Sequence, residues 1–254
     1  MSRGTFGEVK IWDDFLGPDN DLTWGAGTVK IGNWGFISVN EGSFEWTVDE
    51  PGGIVAFTTD TGDNDSACLF GGRFQPSNGG MDTEWRAKFN SATLLAVEAG
   101  FTETLALGTP VVPAEFATAT MSYNGSGGMI GAVHDPDATT NDFRAFAGDG
   151  GAGQGGSSTT GARANETITA DEFYVIRTEV GPDGNGTVYV GHDSDQLEKI
   201  AVSSAVQGNS FTGSVITGTD QFYAFLIGEN RSAAARVLEV DYGYARGWRD
   251  WAND

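Results

Sequence analysis

The sequence predicts an all-β protein, a two-sheet antiparallel sandwich of the jelly-roll kind with little helix. Alternation of apolar and polar residues with a period of two, which is typical of half-buried strands, recurs along the chain. Glycine supplies 38 of the 254 residues, roughly twice its usual share, which favours many turns and few long helices. Helical periodicity is limited to residues 230–236, about two turns.

The clearest strand is predicted at residues 81–89. Its apolar face would comprise Met81, Thr83, Trp85, Ala87 and Phe89, and its polar face Asp82, Glu84, Arg86 and Lys88. Near the C-terminus, Leu238, Val240, Tyr242 and Tyr244 alternate in the same way with Glu239, Asp241 and Gly243. Both patterns predict strands with one face in the core.

Three further segments complete the predicted sheets. Residues 222–227 and 53–57 are apolar on both sides, which predicts strands covered on both faces. Residues 173–180 and 187–190 flank the turn sequence GPDGNG, which predicts a β-hairpin.

We interpret residues 1–254 as one domain with short N- and C-terminal arms. A Gly-rich stretch at about 148–161 is predicted to be a long loop. The alternative is a linker between two domains, but neither half has an obvious core of its own.

The charge balance narrows the classes of partner. Lys and Arg number 14 and Asp and Glu 35, so the net charge is −21. Nucleic acids and anionic membrane surfaces require a basic surface, and we therefore expect neither as a partner. The acidity indicates a surface kept soluble by self-repulsion or, alternatively, a saline environment or a basic partner. Residues 1–5 lack the apolar stretch of a signal peptide.

Nucleophilic and zinc catalysis find little support. The chain has two histidines, His134 and His192, and no Gly-X-Ser-X-Gly motif. Each histidine is interpreted as an ordinary loop or edge-strand residue. The single cysteine, Cys68, is interpreted as a small core residue rather than a nucleophile.

Carboxylates are the remaining catalytic candidates, because glycoside hydrolases use two acids across the scissile bond. One hydrolase family carries them as Glu-X-Asp-X-X-Glu. Residues 239–244 (EVDYGY) have Tyr244 in place of the third acid, and residues 98–103 (EAGFTE) have Gly100 in place of the Asp. Because each segment lacks one acid, we expect no enzyme, no catalytic residue and no cofactor.

Calcium is the remaining candidate ligand. Residues 60–65 (DTGDND) and 18–21 (PDND) gather oxygen ligands in predicted loops. Neither has the full spacing of a calcium loop, and Asp also stabilises turns. We interpret both as solvated turns and assign no metal site.

The C-terminal residues contain the predicted partner contact. Trp248, Arg249 and Trp251 follow the last predicted strand, and exposed Trp is common at binding hot spots. Either this tail folds back over the sandwich edge, or these three residues dock on a neighbouring subunit.

Three stretches resemble bacteriophage structural proteins with a concanavalin A-like, laminin-G-like jelly roll. They are residues 11–17 (IWDDFLG), residues 79–89 continuing through 96–103, and residues 236–242 (RVLEVDY). The resemblance spans about residues 11–244 and consists of strand patterns rather than catalytic signatures.

The resemblance implies a non-enzymatic virion component, made in the host cytoplasm. A capsid decoration or cement protein on the outer head surface is its first implication, with the major capsid protein or other virion subunits as partners, and self-association into a homo-oligomer is compatible with it. A tail or head-fibre module is the next alternative. The third is a glycan-binding, lectin-like domain, which would use aromatics such as Trp34 or Trp46, although both are also natural core residues.

Overall fold

The structure, a computed structural model, describes residues 8–15, 27–47, 53–105, 110–118, 120–124, 127–148, 164, 167–193, 196–202, 216 and 220–248. Its strands are β1 (Glu8–Asp13), β2 (Gly27–Ile31), β3 (Trp34–Ser38), β4 (Ser43–Trp46), β5 (Val55–Thr58), β6 (Ser66–Phe74), β7 (Met81–Phe89), β8 (Leu95–Thr102), β9 (Ala114–Ala117), β10 (Thr120–Tyr123), β11 (Met129–His134), β12 (Arg144–Gly148), β13 (Phe173–Val180), β14 (Gly186–Gly191), β15 (Glu198–Val202), β16 (Phe222–Asn230) and β17 (Val237–Trp248). The one helix among the described residues is a short 3-10 turn, Pro76–Asn78. The predicted all-β class is confirmed.

Two antiparallel sheets form the sandwich. The eight-stranded sheet has the order β15-β14-β13-β7-β17-β5-β4, and β1 pairs with the second half of β17, beyond the end of β5. The seven-stranded sheet has the order β12-β11-β8-β16-β6-β3-β2. Strands β9 and β10 form a separate hairpin.

The main core lies between the two sheets. All five residues predicted for the apolar face of β7 are buried, and Trp85 at its centre is fully covered. Trp34 from the opposite sheet packs on it, with 4.5 Å between ring centroids. The predicted register of β7 is therefore confirmed. The predicted β13–β14 hairpin and the buried strands β5 and β16 are also present.

The register predicted for β17 is wrong beyond Val240. The pairing of β17 with β7 shifts between Val240 and Tyr242, as at a β-bulge, where one extra residue reverses the faces of a strand. Before the shift, Leu238 and Val240 are buried; after it, Gly243, Ala245 and Gly247 are buried and the tyrosines face outward. The two tyrosines therefore lie on the surface rather than in the core.

The helix considered at residues 230–236 is absent. Strand β16 continues to Asn230, and residues 231–236 form an irregular turn. The Asn230 side chain holds this end extended, because it accepts a hydrogen bond from the Thr59 hydroxyl (2.6 Å) and donates to the carbonyls of Asp60 and Gly62. These long-range bonds outweigh a weak local helix preference.

A second, smaller core lies on the outer face of the seven-stranded sheet, beneath the β9–β10 hairpin. It contains Cys68, Val112, Ala114, Phe116, Met129, Val133, Phe146, Phe225 and Ile227. The prediction that Cys68 is a buried core residue is confirmed.

Of the stretch predicted to be a loop, at about 148–161, Gly148 is the last residue of β12, and residues 149–161 lie outside the described residues. No described helix is long and apolar enough to cross a membrane.

Candidate functional site

The outer face of the eight-stranded sheet carries a ladder of paired charges. Arg86 contacts Asp241 (2.5 Å) and Lys88 contacts Glu239 (2.7 Å) across β7 and β17. Both basic groups also lie over the ring of Phe173, at 4.1 and 5.2 Å from its centroid. This surface is polar and ordered, and the charges in this ladder are neutralised in pairs.

Three aromatic residues, Trp12, Tyr242 and Tyr244, lie together on this face; we call them the aromatic strip. Trp12 of β1 stacks on Tyr242 with 5.1 Å between centroids and 22° between planes, and its centroid is 6.1 Å from that of Tyr244. The Tyr242 hydroxyl donates to Glu84 (2.7 Å), which fixes the ring. Trp12 is 54% exposed, so its outer face is free to contact a ligand.

A groove of about 300 Å³ lies at the end of β17, beside Arg246, which is two residues beyond Tyr244. Its lining includes Asp82, Glu179, Pro182, Arg246 and Trp248. Arg246 donates from Nε to Asp82 (2.6 Å). The groove thus combines one indole with hydrogen-bonding carboxylate and guanidinium groups.

The indole of Trp248 occupies this position only because residue 79 is a glycine. Gly79 has a φ of 151°, and a Cβ built there would lie 2.5 Å from Cδ1 and Nε1 of Trp248. Any side chain at position 79 would therefore displace the indole.

Burial and the neighbouring Asp82 carboxylate raise the pKa of Tyr244 to about 12. Its phenol consequently remains protonated at neutral pH and is able to donate a hydrogen bond. The Tyr242 and Tyr244 hydroxyls donate to Glu84 and Asp82, so the strip presents their acceptor oxygens beside its apolar rings.

Of the three residues predicted to contact a partner, the structure describes one. Trp248 is the last residue of β17, pairs with Glu8 and is half-buried. Arg249 and Trp251 lie outside the described residues. Trp248 is therefore part of the sheet rather than of a tail beyond it.

Of the two tryptophans suggested for a lectin role, Trp34 lies in the core and Trp46 packs against it. Trp34 is fully buried against Trp85. Trp46 is half-buried, packs against the main core and donates from Nε1 to the Phe15 carbonyl (3.1 Å). Trp12 was not predicted as a functional residue. The alternation of residues 8–12 (EVKIW) is the signal that could have identified it, because it places Trp12 on the polar face of a strand.

The prediction that His134 is a loop or edge-strand residue is wrong. It lies at the end of β11, inside the sheet, and is fully buried against Phe89 with 5.5 Å between ring centroids. Burial lowers its pKa to about 4, so the ring is neutral and packs as an aromatic. His192 follows β14, contacts the Phe173 carbonyl through Nδ1 (3.0 Å) and packs on Tyr174.

The carboxylates considered for hydrolysis do not face one another across a cleft. Glu239 and Asp241 belong to the charge ladder of the eight-stranded sheet. Glu98 is buried on the seven-stranded sheet, with both oxygens 3.1 Å from the Ala114 amide. Glu103 accepts from the Gly128 amide (2.8 Å). Each of the four therefore has a structural partner.

The acidic turn at residues 60–65 uses its oxygens internally. Asp65 accepts from the Gly62 amide and from the Asn40 side chain, both at 2.7 Å, and Asp60 accepts from the Thr61 amide. Residues 18–21 lie outside the described residues. Within the described ranges, no group of three or more His, Cys, Asp or Glu residues is placed to hold a metal ion.

No protein-family model and no curated protein matches the sequence. Solved structures do match the fold. A Shewanella oneidensis MR-1 protein of unknown function aligns with a TM-score of 0.54 at 12% identity, covering 95% of this chain and 87% of that one. A mutant of the Emp46p carbohydrate recognition domain aligns with a TM-score of 0.51 at 12% identity over 84% and 87%.

Peanut lectin with a bound nine-residue peptide aligns with a TM-score of 0.51 at 9% identity, over 96% of this chain and 99% of the lectin. At these identities the likeness concerns the fold. This chain therefore folds as a concanavalin-like β-sandwich of the legume-lectin type.

Proposed function

We propose that this protein is a non-enzymatic carbohydrate-binding domain whose contact face comprises the aromatic strip and the adjoining Trp248 groove. The observation that carries the proposal is Trp12, an indole 54% exposed and held nearly parallel to Tyr242. Two structures with a similar fold are, by name, a carbohydrate recognition domain and a lectin, which supports the same role.

The chemistry of the face suits a sugar. The apolar face of a pyranose ring packs on flat aromatic rings, which bury large areas with little loss of conformational entropy. Sugar hydroxyls both donate and accept hydrogen bonds, and Glu84, Asp82 and Arg246 lie beside the rings with their orientations fixed by neighbours. This mixture of rigid rings and fixed polar groups favours specific binding of a neutral glycan.

The absence of catalysis is part of the proposal. A glycosidase needs an acid poised to protonate the leaving group and a second carboxylate across the bond. On this face Glu239 and Asp241 are paired with Lys88 and Arg86. These ion pairs favour binding over bond cleavage.

A glycan array probed with the purified protein, followed by calorimetric titration of the best glycan, tests the proposal. Trp12→Ala removes an exposed ring, and we expect at least about tenfold weaker binding, or roughly 1.4 kcal/mol. Trp248→Ala should have a comparable effect.

Tyr223→Ala is the matched control, because Tyr223 is a half-buried aromatic of β16, in the opposite sheet. It should leave glycan affinity unchanged. The proposal fails if no glycan binds, or if Trp12→Ala and Tyr223→Ala bind equally well.

A virion structural subunit, with capsid decoration first, is the second candidate. It rests on the sequence resemblance: residues 11–17, 79–89 and 236–242 contribute to β1, β7 and β17, which pair side by side, and residues 96–103 contribute to β8 in the opposite sheet. The stretches that carry the resemblance thus belong to strands of both sheets. The docking role of Trp248, Arg249 and Trp251 belongs to this proposal and stays a prediction.

Mass spectrometry of purified phage particles tests the second candidate. A decoration protein should occur in hundreds of copies, and a tail or fibre module in few. Deletion of residues 249–254 should abolish particle binding if Arg249 and Trp251 dock on a virion subunit. Unchanged particle binding would remove that contact from the proposal.

A further inference from the structure

The β9–β10 hairpin is held over the seven-stranded sheet by three buried carboxylates. Alternate amides of the segment entering and forming β9 each donate to one of them: Val112 to Glu229 (3.4 Å), Ala114 to Glu98 (3.1 Å) and Phe116 to Asp135 (2.8 Å). Glu98 and Glu229 lie on the adjacent strands β8 and β16. The hairpin is therefore separated from the sheet by the length of a carboxylate side chain.

One arginine fixes two of these carboxylates. Arg231, whose side chain is 3% exposed, contacts Asp135 at 2.8 Å and also pairs with Glu229. These carboxylates hold the hairpin at a constant distance from the sheet. The space beside the hairpin is therefore preformed and does not depend on a ligand.

A cleft of about 390 Å³ occupies this space. Its floor is buried and consists of Cys68, Thr102, Phe225 and Ile227. Its rim includes Val111, which is 47% exposed, together with Thr104 and Asn124. The cleft is thus apolar at depth and polar at part of its mouth.

We propose that this cleft binds a small, uncharged and largely apolar molecule with one hydrogen-bonding group. Its volume falls within the usual range for small-molecule sites, about 300–1,000 Å³, and its apolar floor with a few polar groups is the usual composition. Thr104 and Asn124 supply the hydrogen-bonding groups at the rim.

The apolar floor of the cleft disfavours anions. Burial raises the pKa of the Cys68 thiol in the cleft floor, so this residue also presents a neutral group to the cleft. An anionic ligand would lose its hydration there, and none of the described lining residues is a Lys or Arg that could replace it. The cleft is on the opposite sheet from the aromatic strip, so this site is independent of the proposed glycan site.

Fluorescence titration of the full chain with two dyes tests the proposal. The neutral probe is 1-aminoanthracene and the anionic probe is 8-anilinonaphthalene-1-sulfonate. We expect saturable 1:1 binding of the neutral dye, and at least about tenfold weaker binding of the sulfonate.

Val111→Trp places an indole at the mouth of the cleft, where the exposed position tolerates a larger side chain. It should weaken binding of the neutral dye at least about tenfold. Leu94→Trp is the matched control, since Leu94 is also an exposed apolar residue, 36% exposed, and does not line the cleft. It should bind like the wild type, and thermal melts confirm that both variants fold.

Absence of saturable binding, equal binding by the Val111→Trp and Leu94→Trp variants, or equal affinity for the two dyes would overturn the proposal. The first two results remove the site, and the third removes its selectivity for uncharged ligands.

Discussion

Gly243 lies directly against the ring of Trp85: a Cβ at position 243 would be 2.6 Å from Cζ3 of Trp85 and 3.2 Å from Cζ2 of Trp34. The two packed tryptophans of the core therefore occupy the space that a side chain of β17 would need. The bulge at Asp241 meets this requirement, because it turns Gly243 inward and Tyr242 and Tyr244 outward. The same backbone feature thus accommodates the core and creates the aromatic strip.

Gly243→Ala should destabilise the fold by about 1–3 kcal/mol, because the new methyl group overpacks a rigid aromatic pair. Urea denaturation followed by tryptophan fluorescence measures this change. Gly148→Ala is the control, since a Cβ there would be 3.6 Å from the nearest atoms of Tyr123, an ordinary contact. Equal midpoints for the two variants would contradict the inferred packing.

Trp85→Ala should cost about 3–5 kcal/mol, the usual effect of truncating a fully buried large aromatic residue. The sequence suggests under ~0.5 kcal/mol for Glu84→Ala, as for an exposed residue. In the structure the Glu84 side chain is 14% exposed and accepts from Tyr242, so we expect about 1–2 kcal/mol. Denaturant midpoints that rank Glu84→Ala as the costlier change would refute the register of β7.

The sequence predicts β7 correctly because nothing interrupts its alternation between Met81 and Phe89. The predicted register of β17 fails because a bulge is one extra residue opposite a partner strand. Nothing in the sequence around Asp241 indicates such a residue. The hydrogen bond from the Ala114 amide to Glu98 was also not predictable. That contact joins residues of two separate elements, and the pattern around Glu98 indicates only an acid in an apolar strand.

Glu98→Gln should leave stability at neutral pH within about 1 kcal/mol of the wild type. Burial raises the pKa of Glu98 well above its usual range, which favours the neutral acid, and glutamine reproduces the shape and the acceptor oxygen of that form. Chemical denaturation at pH 7 is the measurement.

Glu98→Ala is the contrasting variant, because it leaves the buried Ala114 amide without its acceptor. The lost hydrogen bond alone should cost about 1–3 kcal/mol. If the Gln and Ala variants were equally destabilised, Glu98 would be acting as an ionised group rather than as a neutral acceptor.

Glu229→Gln should change the pH dependence of stability. Burial raises the pKa of Glu229 to about 7 from 4.5, despite the nearby Arg231. A group whose pKa is higher in the folded state binds its proton more tightly there. The stabilisation that protonated Glu229 gives to the fold is therefore complete below pH 4.5 and is lost as the pH rises through 7. Between pH 4.5 and 7 the free energy of unfolding of the wild type should therefore fall by up to about 3 kcal/mol relative to that of the Gln variant.

The comparison with the variant isolates Glu229 from a second, opposing titration. His134 has its pKa lowered from 6.5 to about 4, so its contribution to stability is lost as the pH falls through that interval. Both proteins share this effect, and it cancels in the difference between their free energies of unfolding. Urea midpoints from pH 4.5 to 8 should show the Gln variant gaining steadily on the wild type, most steeply between pH 5 and 7. A difference that stays constant with pH would mean that Glu229 is ionised throughout the range and that Arg231 fully compensates for its burial.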